Sequence, residues 1–142
     1  MSDKPLSHPA YLALKLWNTH LGTRRATANI SKQPMLKIGE KSYPATFTYA
    51  SEDNKNIYLM AINLDPDAPH RFEWKPEGAR LATSGVLSLM AGKSLDQDNW
   101  DTWNQDVHNV DITDSNIESN AGSFQFQLPA YSVAGITIPK TP

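Results

Sequence analysis

The chain has 142 residues, with thirteen Lys plus Arg against fifteen Asp plus Glu and a formal charge of -2. That length suits one domain able to bury about two-thirds of the surface its unfolded form exposes. With no basic excess, nucleic acid is excluded as a favoured partner; with no cysteine, disulfides, thiolate metal sites and a cysteine nucleophile are excluded.

The first element is predicted to be a helix. Ser7 serves as its cap, Pro9 fits the first turn, and Gly22 stands where a left-handed stop belongs. Leu14, Trp17 and Leu21 recur at three- and four-residue spacing, Leu12 with Leu16 forms a second apolar row, and Tyr11 widens the surface. A helix apolar on more than one side needs more than one neighbour. The run from Ala10 to Leu16 is interrupted by Lys15, has no basic leader before it, and is too short to cross a bilayer. The expectation is a cytoplasmic protein or a piece cut from a longer enzyme, with no membrane partner.

Beyond Gly22 the apolar period changes to two. Residues 24–30 read as an edge strand, and Tyr43, Ala45, Phe47 and Tyr49 alternate with Pro44, Thr46 and Thr48 as one half-buried strand. The run 57–64 is apolar on both faces, as a central strand would be. Phe72 and Trp74 alternate with charged neighbours, and 81–90 is a longer run with Gly85 read as a bulge or bend. Phe124, Phe126 and Leu128 alternate with glutamines, and 133–138 closes the chain before Pro139. The predicted fold is mainly β: an antiparallel β-sandwich or jelly roll with one N-terminal helix. Residues 1–22 form the helical unit, packed on the sandwich or on a partner, and 23–142 form the sandwich domain. The irregular stretch 92–105 reads as a long functional loop.

Catalytic signals are weak. Glu40, Glu52, Glu73, Glu77 and Glu118 fall in turns or on the solvent faces of strands, near Lys or Arg, with no motif that pairs two of them across a substrate. His8, His20, His70 and His108 lack metal-ligand spacing, and His20 is placed to meet helix-end carbonyls. The acidic stretch from Asp96 to Asp101 fails the spacing of a calcium loop, because Trp100 occupies the fifth position. No cofactor is expected; a structural calcium held by separated loops is the one cation left open.

Aromatic residues give the better lead. Sugar rings stack their C–H faces on indoles while amides and carboxylates pair with hydroxyls. Trp100 and Trp103, set among Asn99, Asn104 and Gln105, offer that combination, and Trp74 is a further candidate. The competing reading is that the loop tryptophans plug one end of the sandwich.

Several pieces, taken in order, resemble the α-L-arabinofuranosidase family of glycoside hydrolases. The opening His8-Pro9-Ala10-Tyr11-Leu12-Ala13-Leu14-Lys15-Leu16, ending near Leu21-Gly22, is similar to the last helix of that family's catalytic barrel. The strand from Ile57 to Asn63 resembles a hydrophobic strand ending in asparagine, and 98–110 is a looser likeness of a loop region. Phe124-Gln125-Phe126-Gln127-Leu128-Pro129-Ala130-Tyr131-Ser132-Val133 resembles the family's closing pattern. The resemblance implies the C-terminal β-sandwich of such an enzyme. The family's catalytic glutamates sit on barrel strands, one after an asparagine, and this sequence has no Asn-Glu dipeptide. It therefore implies a non-catalytic accessory domain that braces a barrel and contacts plant-wall polysaccharide. Leu14, Trp17 and Leu21 would dock on the barrel or on a second copy of the chain. The alternative is an independent carbohydrate-binding module that stacks tryptophans on a β-glucan, xylan or arabinan.

Overall fold

The computed structural model describes residues 8–92 and 109–142. Helix α1 (Pro9–Thr19) is capped by His8, whose Nδ1 accepts the Ala10 N–H at 3.3 Å. Ser7, the expected cap, lies outside the described residues. At the other end His20 N–H donates to the carbonyls of Leu16 and Trp17. Gly22 is absent from the positive-φ glycines, so the left-handed stop predicted there is not formed. Its small size serves packing instead: a Cβ there would lie closer than 3.0 Å to the backbone of Glu52.

Among the described residues ten strands follow: β1 (Arg24–Ala26), β2 (Met35–Ile38), β3 (Lys41–Pro44), β4 (Thr46–Glu52), β5 (Asn56–Asn63), β6 (His70–Trp74), β7 (Ser84–Ala91), β8 (Asp111–Asn120), β9 (Ser123–Leu128) and β10 (Ser132–Pro139). β2 and β3 form a separate hairpin, and the other eight run β1-β4-β5-β10-β7-β8-β9-β6 in one curled sheet. Each pairing is antiparallel. β8 pairs with β7 over most of its length and with β9 only at Ser119 and Asn120. There the chain turns through Ala121 (φ 51°) and Gly122 (φ 79°), the two left-handed positions of a tight hairpin. The β9–β6 pair folds back over the larger layer. The mainly β sandwich with one helix is thus present.

The core lies between the layers. Ala50, Ile57, Leu59, Leu87, Ala134, Ile136 and Ile138 from the large layer meet Phe124, Phe126 and Leu128 from the small one. Phe72 stacks on its cross-strand partner Phe126 with centroids 5.1 Å apart and planes 4° from parallel. Such aromatic pairs add to the burial energy and help fix register.

Three strand expectations change. The run 43–49 is two strands, broken at buried Ala45; Thr46 faces inward, while Tyr43 and Phe47 are exposed. The edge strand expected over 24–30 ends at Ala26, although it does sit at the sheet edge. Gly85 is not bulged: its pairing with Ile117 is in regular register. A side chain there would collide with the Thr137 carbonyl and the Ile138 Cδ1.

Candidate functional site

Alternation sends Thr46, Thr48 and Ala50 of β4 inward and Phe47, Tyr49 and Ser51 to the opposite face. α1 lies across that outer face. Leu12, Leu16 and His20 form its buried row, with contacts to β10, β7 and β8. The His20 ring sits directly over Gly135 in the middle of the sheet, and its Nδ1–H donates to the Leu16 carbonyl at 2.9 Å. The helix-end contact expected of His20 is therefore made, beneath the helix. Gly22 N–H donates to Ser51 Oγ at 2.9 Å and ties the helix exit to β4.

Among the described residues, nothing covers the outward side of the second helical row. Leu14 is 64% exposed and Leu21 is also exposed, while Trp17 is half-buried with its ring 5.5 Å from that of Tyr49. Tyr49, under Trp17, stands two residues along β4 from Phe47, the start of a second apolar row that crosses the sheet. Phe47, Ile62, Val133, Met90 and Ile112 are successive register partners on β4, β5, β10, β7 and β8. All five are apolar; Phe47 is 46% exposed and the others are half-buried. Single exposed apolar residues are ordinary; here two rows of them lie on the same outer face of the sheet among the described residues. Sequence spacing reveals the helical row. The cross-strand row is invisible until the register is known, because its members lie up to 86 residues apart (Phe47 to Val133).

The other candidates separate from this face. Trp74 ends β6 on the inner side of the small layer, with its ring tilted against Phe124 at 5.9 Å. Trp100, Trp103, Asn99, Asn104 and Gln105, like Asp96, His108 and most of the predicted long loop, lie outside the described residues. Among the described residues no group of three His, Asp or Glu stands close enough to hold a metal ion.

The carboxylates take part in local networks. Glu52 accepts from Lys140 Nζ at 2.6 Å and faces Arg24 at 3.5 Å; Lys140 chiefly holds its pKa below the usual carboxylate value. Glu73 accepts from Ser123 Oγ, its largest stabilising contact, and pairs with Lys75 at 3.1 Å. Glu40, Glu77 and Glu118 are exposed. Two aspartates organise turns. Asp53 is held below its ordinary value first by the Tyr58 hydroxyl at 2.7 Å and then by the N–H groups of Lys55 and Asn56. Asp65 is held down first by the Asp67 N–H, with His70 Nε2 donating to its other oxygen at 2.9 Å.

A pH dependence follows. A carboxylate whose folded pKa lies below its unfolded one contributes stability that is complete above the unfolded value and is lost as pH falls through the folded one. The thermal midpoint is therefore expected to decline steadily below about pH 4. Asp53→Asn and Asp65→Asn should each flatten that decline; a profile parallel to that of the parent chain would show that these turns carry no such linkage.

No family model and no curated protein matches the sequence. Solved structures do match the fold. An α-L-arabinofuranosidase from Thermotoga maritima, in an arabinose complex, matches with a TM-score of 0.75 and 18% identity, over 94% of this chain and 29% of that one. A thermostable family 51 α-L-arabinofuranosidase from Thermotoga petrophila gives 0.73 and 19%, over 96% and 30%. A family 30 subfamily 8 xylanase from Clostridium acetobutylicum gives 0.61 and 16%, over 92% and 28%. At these identities the likeness is one of fold. The chain spans about 30% of the length of these two arabinofuranosidases and has the fold of a part of them.

Proposed function

We propose that this chain is a non-catalytic β-sandwich domain of a plant-polysaccharide-degrading glycoside hydrolase, and that its outer face docks on a catalytic barrel. The observation that carries the reading is the pair of apolar rows on one outer face, Leu14, Trp17 and Leu21 on α1 and Phe47 to Ile112 across the sheet. Burying these rows is worth roughly 25 cal/mol per Å² of apolar surface, which favours a partner over permanent exposure. The fold likeness to a part of larger glycosidases supports a barrel as that partner, with a second copy of the chain as substitute when none is present.

The separated chain is expected to bind a hydrophobic dye and to self-associate in light scattering as its concentration rises. The double variant Leu14→Ser/Leu21→Ser should lower the dye signal at least about threefold while keeping the circular dichroism spectrum of the parent. A dye-negative monomer at every concentration would remove the docking role. Hydrolysis of chromogenic arabinofuranosides or xylosides that survives repurification would overturn the non-catalytic part.

A further inference from the structure

Among the described residues the sheet order ends at β1 on one side and β6 on the other, and a gap lies between the β1–β4 side and β6. The gap is a groove of about 760 Å³. That is within the ~300–1,000 Å³ usual for small-ligand sites. One wall is β4 with residues 26–34, the other is β6 with its continuation to Ala79, and Ile57, Leu59 and Phe126 form the floor. None of these residues belongs to the docking face.

The lining selects a ligand class. Phe72 and Trp74 supply aromatic surface on one wall, with Trp74 backed by Phe124 and so held in a fixed orientation. Across from them Asn29, Ser31 and Thr48 supply amide and hydroxyl groups. Lys32, Arg71 and Lys75 are balanced by Glu52, Glu73 and Glu77, and two of these acids are already engaged by cations of the protein. With both signs interspersed and no run of one sign, the groove singles out neither an anion nor a cation, and its aromatic wall with facing hydroxyls and amide suits a neutral polyhydroxylated chain. Strand addition by a peptide is the competing occupant of an open edge. β6 carries Arg71 and Glu73 exposed, with Lys75 and Pro76 directly after it, the charged and proline-marked edge that discourages such pairing.

We propose that the groove between β4 and β6 binds a neutral oligosaccharide, with Trp74 and Phe72 as its stacking surface. The site stands apart from the docking patch, so its failure leaves the docking reading intact and the reverse also holds. The test is a titration of the whole 142-residue chain, followed by amide NMR, with xylohexaose, linear arabinohexaose and cellohexaose. At least one of them should shift resonances of residues 27–31 and 71–78 saturably, with a Kd at or below about 1 mM. Trp74→Leu should weaken that binding at least about tenfold. Ala28→Arg, on the exposed rim and remote from the core, should do the same by obstruction. The proposal is overturned if no sugar gives a saturable shift, if the shifts fall only outside the groove (the indoles of Trp100 and Trp103 included), or if a folded Ala28→Arg binds as tightly as the parent.

Discussion

Replacing Gly135 with valine is expected to detach α1 from the sandwich and to lower stability by about 3 kcal/mol. Gly135 lies on β10 between Met60 of β5 and Ser88 of β7, at the centre of the large layer. A Cβ there would fall under 3.0 Å from Cγ, Nδ1 and Cδ2 of His20, a residue only 3% exposed. The ring has little room to yield, because Nδ1–H is bonded to the Leu16 carbonyl and the helix exit is tied to Ser51. The strain therefore passes to the whole helix, which either lifts or leaves the sheet exposed. Gly135→Ala should cost about 2 kcal/mol, or roughly 6 °C in thermal midpoint for a chain of this size. His20→Ala in the same chain should recover at least half of that loss, since the collision partner is gone. Limited trypsin digestion gives an independent readout, because Lys15 should become cleavable in Gly135→Val while the strands stay protected. An alanine variant within 0.5 kcal/mol of the parent would mean that the helix is not seated as described.

The same contact explains why only part of the candidate site could be read from the sequence. Leu14, Trp17 and Leu21 are legible because an α-helix brings residues three and four apart onto one side. Leu12 and Leu16 are equally legible, but spacing alone does not say which row meets the sheet. That choice is made by His20 and Gly135, two residues without apolar bulk, 115 positions apart. The strands with a buried face declared themselves through alternation, as Phe72 with Trp74 and Phe124 with Phe126 show. β4 misled because its outer face is also covered: Tyr49 lies under Trp17, so apolar residues stand where solvent-facing ones are expected. The hairpin of β2 and β3 left no pattern, since its residues are almost wholly exposed. The groove left none either, because it is the space between strand edges that have no pairing partner among the described residues.

Two of the pieces that carry the resemblance, the strand ending in Asn63 and the close Leu128-Pro129-Ala130-Tyr131-Ser132-Val133, meet in space. Asn63 is 1% exposed and its amide N–H groups donate to Ala68 O at 2.9 Å and Pro129 O at 2.8 Å, with Leu128 O at 3.3 Å. Its Oδ1 accepts the Asp65 N–H at 2.9 Å, while Ser132 Oγ donates to the same Pro129 carbonyl at 2.7 Å. One buried side chain thus ties the turn after β5 to the turn before β10. Asn63→Ala is expected to cost about 3 kcal/mol in urea unfolding, because it removes at once every bond made by a side chain that joins two turns and leaves a cavity in its place. Asn63→Asp tests the role of the amide more sharply. A carboxylate facing those carbonyls is disfavoured when ionised, so its folded pKa would rise above the unfolded value of about 3.9. A raised carboxyl pKa contributes stability below the unfolded value and loses it as pH climbs through the folded one. Relative to the parent at each pH, Asn63→Asp should therefore be markedly less stable at pH 7 than at pH 4. A deficit independent of pH, or an alanine variant costing under 1 kcal/mol, would show that the two turns hold without this amide.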